Sequence, residues 1–215
     1  MSIELYLSIT SIVIIVITIV TGLEIRKTSK EINEMDIELK DMCNMENTIV
    51  SFYKKNNLKP ETSLEEIAKE LKVTLGNDSQ NIQSQAVLCE PDENGIRKVI
   101  FKEGLSGETK RFVFAHACAY LINGDTAPLT RPLGKNKPKA EQLADYTAAA
   151  LLMPLNRVYQ YLDLNNYQSA SKGKKKKLVR ELCEVYEVSE IIAVRRIKEV
   201  YAIQQKSFKK IIEKD

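Results

Sequence analysis

Between Leu5 and Leu23 the chain carries no charged residue, and the centre of this run reads Ile12-Val13-Ile14-Ile15-Val16-Ile17-Thr18-Ile19-Val20. At a rise of about 1.5 Å per residue the run spans roughly 28 Å, the thickness of a bilayer's hydrocarbon core. Its β-branched residues suit a strand, but it is too long for one, and in lipid only a helix satisfies its own backbone. A cleaved signal peptide needs a basic start and a small-residue cleavage site. This N-terminus holds Glu4 and no Lys or Arg, and Thr21-Gly22-Leu23-Glu24 is a poor site. An uncleaved transmembrane anchor over 1–23 is therefore expected. Arg26, Lys27 and Lys30 follow the run and nothing basic precedes it, so the positive-inside rule places the rest of the chain in the cytoplasm. The expected location is the cell membrane, crossed once.

From Glu24 to about Tyr53 there is neither Gly nor Pro. Alternate steps of three and four pick out Ile25, Thr28, Ile32, Met35, Leu39, Met42, Glu46, Ile49 and Tyr53, an a/d seam with two polar breaks. A helical stalk over 24–57 is expected, with homodimerisation as a parallel coiled coil its functional reading and an amphipathic helix folded back on the domain the plainer one. Asn56-Asn57-Leu58-Lys59-Pro60 ends it, leaving 58–215 as a domain long enough for a single core.

Within that domain Ser63-Leu64-Glu65-Glu66 is a capping box, followed by Leu64, Ile67, Ala68 and Leu71 on one helical face. Val73-Thr74-Leu75 suits a short strand. Ala86–Cys89 and Ile96–Phe101 read as a hairpin turning at Asp92-Glu93-Asn94-Gly95. Gly107 to Asn123 is apolar on every side around Phe112–Ile122, which predicts a centrally buried helix. Residues 123–137 suit an exposed loop, and an Ala-rich helix runs from Pro138 to Pro154. The basic run Lys172–Lys177 reads as a solvated loop before helices at 178–186 and from about 190 to 209. Cys43, Cys89, Cys118 and Cys183 are widely spaced, with no C-x-x-C pair, so reduced thiols are expected and neither a disulfide scaffold nor a zinc knuckle is.

Arg111-Phe112-Val113-Phe114-Ala115-His116-Ala117-Cys118-Ala119-Tyr120, then Ala144-Asp145-Tyr146 and Leu151-Leu152-Met153-Pro154, resemble the ImmA/IrrE family of zinc endopeptidases over about 63–201. The resemblance implies a zincin-like α+β domain, mostly helical with a small sheet. It further implies a bacterial protein connected with mobile genetic elements or stress responses, since working members cleave helix-turn-helix repressors.

The catalytic positions depart from that pattern. A zincin uses two His at i and i+4, a Glu after the first as base, and a third ligand on a later helix. His116 matches the first ligand, and it is the only histidine in the chain. Ala117 stands at the base position and Tyr120 at the second ligand, while Leu143 falls where the resemblance places the third. No catalytic residue set and no zinc are therefore expected, with His116 a satisfied core histidine beside Tyr120 and Leu143.

The alternative is a rebuilt metal-dependent peptidase using His116, Glu141 and Asp145, although Glu141 lies about 200° around its helix from Leu143. Both a plugged cleft and an open one, holding a peptide by strand addition, are compatible with these residues. The expected activity is binding of a protein partner such as a repressor. Nucleic acid is not the expected partner. A membrane-tethered DNA-binding regulator would place Arg195, Arg196 and Lys198 in a major groove, and anionic lipid headgroups are a further reading for the Lys172 run.

Overall fold

Ser63 opens a short helix with its own side chain: Oγ accepts from Glu66 N at 3.2 Å, and the Glu66 carboxylate accepts from Ser63 N at 3.0 Å. The expected capping box therefore forms, and the helix behind it, Leu64–Glu70, buries Leu64, Ile67 and Ala68. The structure, a computed structural model, describes residues 37–124, 129–130 and 138–212. Its elements in chain order are α1 (Leu39–Lys55), α2 (Leu64–Glu70), β1 (Val73–Leu75), β2 (Ala86–Leu88), β3 (Arg97–Phe101), α3 (Gly107–Ile122), β4 (Leu129–Thr130), α4 (Lys139–Leu152), α5 (Leu155–Leu164), α6 (Lys172–Tyr186) and α7 (Glu190–Ile212). This is a mostly helical α+β domain with one small sheet.

The hairpin forms where expected. Asp92 Oδ1 accepts from the amides of Asn94 and Ile96, both at 2.9 Å, and Gly95 takes φ +76° in the turn. β2 and β3 pair antiparallel, Ala86 opposite Phe101 and Leu88 opposite Val99. β1 adds parallel to β3, and β4 adds antiparallel to β2, giving the sheet order β1-β3-β2-β4. The stretch expected as an open loop thus contributes an edge strand.

Helix α3 buries nine consecutive residues, Phe112 to Tyr120. A helix covered on all sides lies at the centre of its domain, and α3 contacts α1, α2, α4 and β3. Helix α4 crosses it with an alanine-rich face, which lets the two backbones approach and the side chains between them meet.

Residues 39–55 follow the second reading of the seam, an amphipathic helix folded back on the domain, and not a free stalk: α1 lies on α4 and α7 and buries Met42, Ile49 and Tyr53. The seam was on the right face, but the domain covers it. The boundary at 58 accordingly moves, and the compact unit begins at Ile37. The Lys run is no loop. Ser171 Oγ accepts from Lys174 N, and α6 begins at Lys172. Helix α5, unanticipated, follows Pro154, whose ring suits the start of a helix.

The expected transmembrane segment, 1–23, and the stalk as far as residue 36 lie outside the described residues. Among those described, no helix is long and apolar enough to cross a membrane.

Candidate functional site

His116 sits in the middle of α3 with no exposure to solvent. Glu141 and Asp145, one turn apart on α4, share a face and straddle the ring. Glu141 Oε2 lies 3.2 Å from Nε2, and Asp145 Oδ1 lies 2.9 Å from Nδ1. Both carboxylates are buried. Neither contact has the alignment of a hydrogen bond: both ring nitrogens and Glu141 Oε2 lack a hydrogen-bond partner. Tyr120, one turn beyond His116, donates its phenol proton to Glu141 Oε1 at 2.5 Å, and its ring stands 5.4 Å from the imidazole. Burial pushes the Glu141 carboxyl upward. Contacts from His116 and the Tyr120 phenol outweigh that and hold it below the ordinary range.

The geometry corrects the assignment of Leu143. Two residues further along α4 is about 200° of rotation, so Leu143 points away from the face that carries Glu141. Glu141 is the residue that meets the imidazole, and Leu143 is half-buried. The proposed ligand trio fails for a different reason. Glu141 and Asp145 lie against opposite nitrogens of one ring, and an imidazole offers a metal ion one nitrogen at a time. Among the described residues no three His, Cys, Asp or Glu side chains converge so as to hold a metal ion. Cys118 stays apart as a buried thiol, pushed up to about 12 by burial.

Sequence reasoning missed the ionic chain that continues from Asp145. Arg195 Nη1 stands 3.9 Å from Asp145 Oδ2, and its Nε lies 2.8 Å from Glu199 Oε1. Arg196, fully buried, sends Nη2 to Glu46 of α1 at 2.8 Å and donates from Nε to the Met153 carbonyl at 2.9 Å. Tyr146 donates to the same Glu46 oxygen at 2.7 Å and stacks its ring against the Arg196 guanidinium. Burial disfavours the charge on Arg196, but Glu46 leads the groups that overcome this and raise its pKa. Burial raises Glu199, against the pull of both arginines. One signal was available: Glu46 occupies a seam position, and a carboxylate on a buried face needs a cation. Arg195 and Arg196, read as groove contacts, are held instead by internal ion pairs.

The stretch that contains the sheet and the α3–α4 pair matches a known family. The model of the IrrE N-terminal-like domain matches residues 68–198, more than half of the chain. The chain belongs to this family. No relative among the curated proteins matches it.

An IrrE-type domain implies a catalytic zinc, and the residues present do not fit one. His116 Nε2 and Glu141 Oε2 converge, but the third donor is a phenol already bonded to Glu141. At the base position Ala117 presents a methyl group, which activates no water.

Proposed function

We propose that this chain is a membrane-anchored, non-catalytic member of the IrrE-type domain family that acts by binding a protein partner, such as a helix-turn-helix repressor. The observation that carries this reading is the replacement of base and second ligand together. Ala117 has no carboxylate, and the Tyr120 phenol bonds Glu141, both residues being buried. The apolar run at 5–23 and the basic residues behind it support the anchor and the cytoplasmic placement of the domain.

The test is metal analysis of the full chain extracted in detergent, beside the double variant Ala117→Glu/Tyr120→His. His116 Nε2 and Glu141 already converge, and Tyr120→His adds a third donor on the same face, so the variant is expected to take up one zinc per chain while the parent stays substoichiometric. Stoichiometric zinc in the parent, with proteolysis abolished by a chelator, would overturn the reading.

A further inference from the structure

A second site lies away from His116, between α5, α7 and the connection into α6. An open pocket of about 580 Å³ is lined there by Tyr159, Tyr167 and Tyr201, with Asp163 and the amide side chains of Asn166 and Gln205 among its polar groups. The rings are bunched. Tyr167 and Tyr201 lie nearly parallel at 24° with centroids 6.1 Å apart, and Tyr159 meets Tyr201 edge-on at 6.5 Å. All three are half-buried, so part of each ring remains open to a ligand.

One lysine of α6 reaches a ring of this pocket: Lys175 Nζ stands over Tyr167, 5.5 Å from its centroid. Lys172 and Lys176 lie within about 100° of Lys175 around the helix. Among the described residues Lys172, Lys174, Lys175 and Lys176 have no carboxylate within ion-pair distance, and Lys177 is the one member of the run that is paired, with Glu181 at 3.7 Å. The first turn of α6 contains no acidic residue, although the helix dipole disfavours cations there. Uncompensated cations held beside an aromatic pocket call for an anion with a flat ring.

We propose that this pocket binds a nucleotide, the base stacked among the tyrosines and the phosphate held by Lys172, Lys175 and Lys176. Base–aromatic stacking and lysine–phosphate attraction are the two interactions on which sequence-tolerant nucleotide sites are built, and the volume lies in the range of small-ligand pockets. Asp163 and the amides supply acceptors and donors for the edge of a base or the hydroxyls of a sugar. Asp163 is the one charged residue among the described residues of the lining, and Lys175 over Tyr167 with its neighbours Lys172 and Lys176 favours an anion over an organic cation.

The same chemistry occurs in a free nucleotide and in a single strand, so the titration uses ATP and a ten-residue oligo(dA) on the full chain in detergent, followed by calorimetry. Saturable binding of either supports the proposal. ATP bound as tightly as the oligonucleotide assigns a free nucleotide, and an oligonucleotide at least tenfold tighter assigns a strand. Tyr201→Ala is expected to weaken binding tenfold or more, while Tyr201→Phe keeps it within threefold. The exposed change Lys172→Gln/Lys176→Gln is expected to weaken it and flatten its salt dependence without altering the melting curve. No saturable binding at millimolar ATP or oligo(dA), affinity indifferent to both the Tyr201→Ala and the lysine changes, or uptake of tetramethylammonium in their place would each overturn it.

Discussion

A phenol that donates a hydrogen bond to a buried carboxylate decides the chemistry around His116. Tyr120 supplies one of the contacts that hold Glu141 below the ordinary value of 4.5. A carboxylate depressed in the folded state contributes stability above its unfolded pKa, and that contribution is lost as pH falls through the folded value. Tyr120→Phe removes the donor while keeping the ring, so Glu141 loses a partner it cannot replace from solvent. A loss of about 1–3 kcal/mol is expected at pH 7. The loss should shrink toward pH 4 and below, as Glu141 protonates in both proteins. Urea unfolding of parent and variant at the two pH values checks both sign and size. The identity of this site was partly legible: the family resemblance singled out His116 and Tyr120, and the i,i+4 spacing singled out Glu141 and Asp145. Which carboxylate faces which nitrogen was not, because helix phase relates residues within α4 but says nothing of how α4 is rotated against α3.

At the scale of elements, helix α1 shows why a correct pattern left its partner open between a second chain and its own domain. Met42, Glu46, Ile49 and Tyr53 repeat as a seam, and each meets the domain: three are buried side chains, and Glu46 takes the Arg196 and Tyr146 contacts. Periodicity identifies a face that must be covered, not what covers it. A fragment starting at residue 58 would leave Arg196 without its Glu46 partner and uncover the face of α4 that packs on α1. Breaking a buried ion pair costs about 3–5 kcal/mol, and the lost burial of Met42 and Ile49 adds to that. Residues 37–215 are therefore expected to give a cooperative thermal transition, and residues 58–215 an unstable or aggregating product. Met42→Ala within 37–215 should lower stability by about 2–5 kcal/mol, the usual range for emptying a buried site of that size. The same logic explains what was read well. The Ser63 capping box and the Asp92–Gly95 turn are held by contacts four residues apart or fewer, so the sequence contains all of their determinants.

For the molecule as a whole, a seam can be buried only once. The expectation of a parallel coiled coil rested on a stripe from Ile25 to Tyr53, and its last three members, Glu46, Ile49 and Tyr53, together with Met42 before them, serve the interior of their own domain. A partner chain competing for that face would have to separate Arg196 from Glu46 and open the core along α4, a cost that a short Met-containing seam does not offset. Residues 37–215 are accordingly expected to sediment as a monomer in analytical ultracentrifugation across micromolar concentrations. If the full chain in detergent self-associates, the contact must be made by residues 1–36. Alanine at Ile25, Ile32 and Met35 should then abolish it, while Ile49→Ala should lower stability without changing the mass of the complex. A dimer of 37–215 disrupted by Ile49→Ala would instead mean that α1 exchanges between chains, and it would reopen the stalk as an interface.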